Sequence, residues 1–495
     1  MKNIIIVGGG SAGWMTAATL IKFFPNKKIT LIDSPNISTV GVGESTLEYI
    51  SKWCSLLEID EKDFLKHTDG SYKLSIKFTN FYKKGEAFHY PFGNPVLMEN
   101  STSLNDWWFK KILKPKTPYT DYAESFFPQM LYVNSNTFSP KLSRAYHFDA
   151  TKFGIWLRDH YCIPRGVKHI QENINTIEQN KDGIRSLNKK HKADLFIDCT
   201  GFKSLLLGET LKERFISYND LLPNDSAWAT KIPYKDKKKE LVPYTNCTAI
   251  ENGWVWNIPL WSRIGTGYVY SSKFVDDDKA LKEFQKHLKT KDLEFKKIKM
   301  RVGVHKRLWV KNVCAIGLAA GFIEPLESNG LFSVHEFLIS LVRNLQFDKD
   351  NFTYYCRQIF NNFAEFVALH YALSHRAETP YWKNNLNKQW SDSLIQRIPV
   401  LTDGIDRAVI SRGFLHQHNI EGGLHCIAAG MHWAPTDTIS LFKQNKKDLL
   451  LPHLKQIVKN LEERKKQWED KFEKAPSLYN YLNTYIHNEK NRSNK

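Results

Sequence analysis

Near the amino terminus a run of four β-favouring residues, Ile4-Ile5-Ile6-Val7, leads straight into Gly8-Gly9-Gly10-Ser11-Ala12-Gly13. Beyond the glycines the apolar residues Trp14, Ala17, Ala18 and Leu20 recur at helical spacing. A strand, a glycine turn spaced G-x-G-x-x-G and a helix, in that order, predict a dinucleotide-binding start. Gly8 permits the tight turn, Gly10 lets a pyrophosphate reach the backbone, and Gly13 lets helix and strand pack closely. The helix N-terminus at Ser11 and Ala12 then offers N–H groups and partial positive charge to phosphate. A second strand, Lys28 to Ile32, ends in Asp33, which stands 20 residues past Gly13, where a ribose-binding carboxylate belongs. The plain alternative is a glycine-rich turn that binds nothing, and the motif alone does not separate FAD from NAD.

Composition narrows the class. The chain has 495 residues, 42% hydrophobic and 25% charged, enough to bury a large core. Seven scattered cysteines without a C-x-x-C pair read as reduced thiols in a cytoplasmic protein, with neither a disulfide framework nor a zinc site. No apolar run reaches membrane-spanning length, so no membrane association is expected. Met1-Lys2-Asn3 and the apolar run after it resemble a signal peptide only superficially, because the run is short and becomes the glycine fingerprint. The net charge of +18 comes from dispersed lysines, which reads as solvated surface, with no nucleic-acid partner expected.

Along the chain, Glu48 to Leu65 reads as helical. Leu74, Ile76 and Phe78 alternate with Lys73, Ser75, Lys77 and Thr79, as in a strand with one polar face. Residues 80–145 are rich in Pro, Asn and aromatics and resist assignment. Asp149 to His160 reads as a helix, Ala193 to Asp198 as a buried strand, Val242 to Ser272 as strands, and Val313 to Ile316 as another buried strand. Helices then dominate, near 331–345, 352–377 and 453–474, and the stripe Leu454, Ile457, Val458, Leu461, Trp468 and Phe472 reads as core packing. The fold class is therefore α/β: a Rossmann-type FAD-binding region of flavin monooxygenase type with an additional β-sheet and a C-terminal helical substrate region. The FAD region covers 1–330, interrupted by substrate-side segments near 80–145, and 331–495 caps the substrate site. Phe196 to Gly201 and Asn312 to Gly317 fit strand ends that return to the nucleotide. Leu318 follows Gly317 where flavin hydroxylases generally carry an Asp. No second glycine fingerprint appears, so reducing equivalents are expected from outside the chain.

At Gly253-Trp254-Val255-Trp256-Asn257-Ile258-Pro259 the sequence matches W-x-W-x-I-P and resembles the flavin-dependent tryptophan halogenases. Gly41-Val42-Gly43-Glu44-Ser45, Tyr146 to Asp149, Gly265 to Ser272, Glu324-Pro325-Leu326-Glu327-Ser328 and His370 to Ser374 are similar to that family, in the same order, over about residues 1–385.

The resemblance implies FAD, used as FADH2, and a halide, chloride or bromide, oxidised to hypohalous acid that halogenates an indole or other electron-rich aromatic. Trp254 and Trp256 would screen the flavin from the substrate. Lys77, on the polar face of its strand, is matched to the family's essential lysine that handles the oxidant, by hydrogen bond or as a haloamine. Glu327 is matched to the carboxylate that removes the arenium proton, and Ser328 to an orienting hydroxyl. Alone these would read as a solvated lysine, a helix N-terminal acid and an N-cap. Asn329 and Gly330 would offer backbone N–H groups to the halide. Val42, Gly43, Glu44 and Ser45 would strap the flavin, with Gly317 and Leu318 at its other side. Tyr90, Phe92 and Trp433 are the substrate candidates. The implied partners are a separate flavin reductase and a small aromatic substrate, and a homo-oligomer is compatible with the sequence. The rival readings are an FAD-dependent aromatic monooxygenase and a non-catalytic flavoprotein that binds an aromatic ligand.

Overall fold

The computed structural model describes residues 1–36, 43–97, 103–345, 348–388, 390, 420–432, 447–472 and 475–487. Asn3–Val7 is a buried strand that pairs in parallel with Lys28–Asp33 on one side and Leu195–Asp198 on the other. Lys168–Gln171 and Val313–Ala315 extend this sheet in parallel, and Trp309–Val310 closes it antiparallel, giving six strands. Ser11–Phe23 is the helix that crosses between the first two strands, with Trp14, Met15, Ala17, Ala18 and Leu20 buried. A parallel sheet buried on both faces needs near-continuous apolar strands, which Ile4 to Val7 and Leu195 to Ile197 provide. The Rossmann-type start is therefore present as expected.

A second, seven-stranded sheet runs in the order Lys296–Lys299, Ser226–Ile232, Ile264–Tyr270, Gly253–Pro259, Tyr244–Ile250, Ser75–Thr79 and Ala87–Pro91. A small sheet of Glu44–Ser45, Ala145–Phe148 and Ser71–Lys73 sits at its flank. The chain changes sheets at Leu74, whose N–H bonds the carbonyl of Pro243 between the two strands. Past Gly330 helices dominate: Gly330–Asn344, Lys349–Ala372, Pro380–Leu386, Ile420–Gly430 and Lys447–Asp470. Leu454, Val458 and Leu461 of the last of these are buried, as core packing requires.

Several local expectations are corrected. Glu48 to Leu65 is two helices, Tyr49–Leu56 and Glu61–His67, because Glu58 turns left-handed at φ 57° and the Asp60 side chain caps the second helix at the Asp63 N–H. The 149–160 helix is α-helical only over Ala150–Trp156 and continues as a π-helix over Leu157–Cys162. The region 80–145 contains the strand Ala87–Pro91 and the helices Ser103–Leu113, Asp121–Phe126 and Met130–Ser135. Among the described residues, no helix is long and apolar enough to cross a membrane, and all seven cysteines are buried free thiols.

Candidate active site

The nucleotide cradle forms from close backbone approaches. Gly8 has φ +116°, and a Cβ there would lie 2.3 Å from the Cys199 carbonyl oxygen. A Cβ on Gly13 would lie 1.9 Å from the Gly8 carbonyl, so no larger residue fits between strand and helix. The Ser11–Phe23 helix begins at Gly10 with no side-chain cap and no acid in its first turn, so its first N–H groups and positive pole are left to an anionic group. The Ser11 hydroxyl donates to the Ala150 carbonyl at 3.2 Å. Asp33 ends the second strand, 2.9 Å from His169 Nε2. Gly317 and Leu318 open a 3-10 turn that packs on Ala12, where a Cβ on Gly317 would come within 2.7 Å of the Ala12 methyl. These residues fit a dinucleotide. Gly43 lies at φ +93° beside Leu260, and Glu44 and Ser45 pair with Phe148 and His147. Burial, then the charge of Asp149, pushes the Glu44 carboxyl up to about 7. Val42 and Trp433 lie outside the described residues.

A second group of side chains gathers on one face of the seven-stranded sheet. Side chains alternate along a strand, and paired neighbours share a face. Phe78, Cys247 and Trp256 are register partners across three strands, so they line one face together. Phe78 packs on His370 with ring centroids 4.8 Å apart, and Cys247 reaches the Leu326 carbonyl, which fixes this face as the one that carries Glu327. Trp254 and Trp256 stand on the same face, their rings 6.1 Å apart. The Trp254 indole N–H donates to Glu324 Oε2 at 3.0 Å, and Asn224 and Tyr371 donate to the same oxygen at 2.7 and 3.1 Å. The Trp256 indole N–H is buried without a partner among the described residues.

Lys77 is one residue out of phase with Phe78 and therefore points to the opposite face. There its ammonium lies 5.8 Å from the Tyr244 ring centroid, and burial, then the Lys77 charge, pulls the His89 imidazole down to about 3. The expectation that Lys77 joins Glu327 and Ser328 is corrected: the lysine at the site is Lys73. Its Nζ is fully buried and donates to Ser328 Oγ and to the Thr46 carbonyl, both at 2.8 Å, and it lies 5.1 Å from the centroid of the Phe92 ring. Burial pulls the Lys73 ammonium down to about 7, against the opposing charges of Cys247 and Glu327. Both lysines fall on the polar positions of one apolar alternation. The switch of sheets at Leu74 is what separates them.

Glu327 ends the 3-10 turn Pro325–Glu327 and is completely buried. His370 Nε2 lies 2.8 Å from Glu327 Oε1, off the line of a straight N–H bond. His370 Nδ1 faces two helix carbonyls, Phe366 and Val367, each at 3.2 Å, so Nδ1 carries a hydrogen. Tyr90 is half-buried beside Phe92, ring centroids 6.0 Å apart, and desolvation, then the Glu327 charge, holds its phenol well above the usual range. Gly423 of the Ile420–Gly430 helix sits on the Tyr90 ring, where a Cβ would approach to 2.9 Å. Ser328 adopts φ +58°, and Asn329 precedes the Gly330–Asn344 helix without a side-chain cap, its Nδ2 turned to the Ile323 carbonyl at 3.4 Å. Among the described residues, neither the N-cap side chain nor an acid in the first turn accepts from the helix N–H groups. Lys73 and Thr245 were given no role by sequence reasoning, and His370, Glu324 and His147 entered only as members of longer matched stretches. Lys73 sat in plain view in the same alternation as Lys77.

The fold and the cradle define a Rossmann-type flavoprotein scaffold with a second, buried acid–amine site on an adjoining sheet. Comparison with known proteins agrees. The tryptophan halogenase family model matches residues 3–444. The chain is 32% identical to tryptophan 6-halogenase ThaL of Streptomyces albogriseolus, over 89% of this chain and 91% of that one, and 32% identical to tryptophan 7-halogenase RebH of Lentzea aerocolonigenes, over 88% and 90%. Among solved structures, VirX1 aligns with TM-score 0.88 at 36% identity, covering 98% of this chain and 100% of that one. The tryptophan halogenase from Shewanella frigidimarina aligns with TM-score 0.86 at 28% identity, covering 99% and 98%. The chain belongs to the tryptophan halogenase family. It is an enzyme, an FAD-dependent oxidoreductase of the halogenase type.

Proposed function

We propose that this enzyme uses FADH2, oxygen and a halide to halogenate tryptophan or a related indole, with Lys73 rather than Lys77 handling the oxidant. The observation that carries the reading is a fully buried lysine hydrogen-bonded to Ser328, next to a fully buried Glu327. Reduced FAD with oxygen supplies the oxidising equivalent that turns halide into hypohalous acid. Gly8, Gly10, Ser11, Ala12, Gly13, Asp33, Gly317 and Leu318 would hold the cofactor, with Gly43, Glu44 and Ser45 at its halide side. The N–H groups of Asn329 and Gly330 would bind the halide.

Lys73 has two of its N–H groups committed, to Thr46 and Ser328, which leaves one direction for the oxidant. Glu327 would take the proton from the halogenated ring carbon, with His370 supporting its charge. Tyr90 and Phe92 would flank the aromatic substrate, and Trp254 and Trp256 would keep it from the flavin. We assign 1–330 to the FAD region, with 80–145 and the helices beyond 330 on the substrate side. A separate reductase would supply FADH2.

The test is mass spectrometry of products made with a flavin reductase, NADH, FAD, oxygen, tryptophan or indole, and chloride, bromide or iodide, with catalase present. A halogen mass shift lost in Lys73→Ala and kept in Lys77→Ala is expected. Loss in Lys77→Ala alone would overturn the assignment, and oxygen insertion without halogen would favour a monooxygenase.

A further inference from the structure

Three donors meet on one carboxyl oxygen behind Trp254. Glu324 Oε2 accepts from the Trp254 indole N–H at 3.0 Å, from Asn224 Nδ2 at 2.7 Å and from the Tyr371 hydroxyl at 3.1 Å. The other Asn224 amide hydrogen goes to the Tyr371 oxygen at 3.1 Å, so the hydrogens of all three donors are accounted for. Glu324, Asn224 and Tyr371 are completely buried, and Trp254 nearly so.

An oxygen that takes three hydrogen bonds at once suits an anion. Burial pushes the Glu324 carboxyl up, and Asn224, Trp254 and Tyr371, then the charge of His370, act against it. A carboxylate is costly to bury, so the place it holds is informative. Glu324 stands directly before the turn Pro325–Glu327, which carries Glu327 and leads to Ser328. Tyr371 follows His370 on the Lys349–Ala372 helix, and His370 Nε2 lies 2.8 Å from Glu327 Oε1. Trp254 belongs to the strand Gly253–Pro259. One carboxylate therefore joins the tryptophan strand, the turn that bears Glu327 and the helix that bears His370. Trp256 is held differently. Its ring is lodged on Gly267, where a Cβ would come within 2.2 Å of it, and its indole N–H has no partner among the described residues. Of the two rings, Trp254 is the one whose place is set by a polar bond.

We propose that Glu324 is a positioning residue: it fixes Trp254 by the indole N–H and sets that ring against the Glu327–His370 pair. The inference rests on the roles of Trp254 and Glu327 proposed above and deepens them. A tryptophan held by packing alone keeps some freedom about its two side-chain torsions, and a hydrogen bond from its one polar atom to a charged acceptor removes it. With the bond made, the ring keeps water and aromatic substrate off the flavin. With the bond lost, the two electrons of FADH2 go to oxygen without oxidising halide, and the products are FAD and hydrogen peroxide.

Glu324→Gln keeps the shape of the side chain and removes its charge, and Trp254→Phe removes the N–H and keeps an aromatic ring. In flavin-free protein labelled at the tryptophan indole nitrogen, the NMR signal missing from Trp254→Phe identifies Trp254 among the 14 tryptophans. In Glu324→Gln that signal is expected to move upfield and its N–H to exchange with solvent deuterium about 10-fold faster. In single turnovers of enzyme preloaded with FADH2 and given oxygen, bromide and tryptophan, halogenated product per flavin is expected to fall on the order of 10-fold in each single variant. Hydrogen peroxide should make up the difference, and the double variant should lose no more than either single one. An unmoved indole signal, or losses that multiply in the double variant, would overturn the role of Glu324. Tyr371→Phe removes one donor and keeps its ring, and it decides in the same way if Glu324→Gln does not fold. A wild type that makes no halogenated product would instead sink the parent reading, and the indole signal would still decide whether Glu324 holds Trp254.

Discussion

A lysine with no water around it makes its own charge negotiable, and at Lys73 that negotiability is measurable in the folding equilibrium. The ammonium titrates near 7 in the fold and near 10.5 in the unfolded chain. Between those values the unfolded chain holds a proton that the fold does not, so stability rises with pH across that window. Lys73→Met has no such group. In flavin-free protein its melting temperature is expected to exceed that of the wild type most at pH 7, and the gap should close toward pH 10. A gap that does not change with pH would mean the amine keeps its ordinary affinity. Glu44 titrates near 7 folded and near 4.5 unfolded, a raised acid whose contribution is full below 4.5 and lost as pH rises through 7. Glu44→Gln should therefore gain on the wild type between pH 5 and 8. Glu327 and Ser328 could be named from the sequence because they sit in one compact motif, and Tyr90 and Phe92 because they sit in another. Lys73 was hidden because period-2 parity treats 73 and 77 alike, and nothing local announces that the chain leaves one sheet for another at Leu74. His370 stood at the head of a matched stretch, but its contact with Glu327 could not be read, because two helices separate them along the chain.

Elements whose form follows from local chemistry were the readable ones. The fingerprint strand, its helix and the Leu195–Asp198 strand could be placed because each is a continuous apolar run with glycines where the backbone closes in. Gly13→Ala tests that closeness: with its Cβ against the Gly8 carbonyl, the variant is expected to lose about 1–3 kcal/mol of stability and to bind FAD more weakly, read by denaturant titration and by quenching of flavin fluorescence. Unchanged FAD affinity would remove the glycine from the cradle. Between Glu48 and Leu65 the apolar spacing continues across a break that a left-handed Glu58 and the Asp60 cap enforce, and spacing alone carries no record of it. Residues 80–145 were opaque for a related reason: the strand Ala87–Pro91 and three short helices are held by contacts to distant segments, not by their own periodicity.

At the scale of the whole molecule, one partly buried ionic cluster fastens the Lys447–Asp470 helix to the 80–145 region. Asp121 takes Lys110 at 2.5 Å and Lys465 at 2.9 Å, while Lys465 also meets Glu124 at 2.5 Å. Removing the shared acid leaves Lys110 buried without its counter-ion, so Asp121→Ala is expected to cost about 3–5 kcal/mol while the distant nucleotide cradle keeps its FAD. Thermal melts with and without FAD would show it. A loss below about 1 kcal/mol would mean the helix is held by its apolar stripe alone.

Among the described residues, the seven-stranded sheet ends on Lys296–Lys299, a strand that pairs on one side only, with Ser226–Ile232. Three of its four residues are lysines. An unpaired strand edge is a template that any other extended chain can extend. A row of like charges makes the approach of an identical edge costly, and the fence is electrostatic. It works at the ionic strength of a cell, where charge is felt over about 8 Å, and collapses near 1 M salt, where the range falls to about 3 Å. Concentrated stocks of this enzyme should therefore stay monodisperse in dilute buffer and begin to associate through this edge in strong brine.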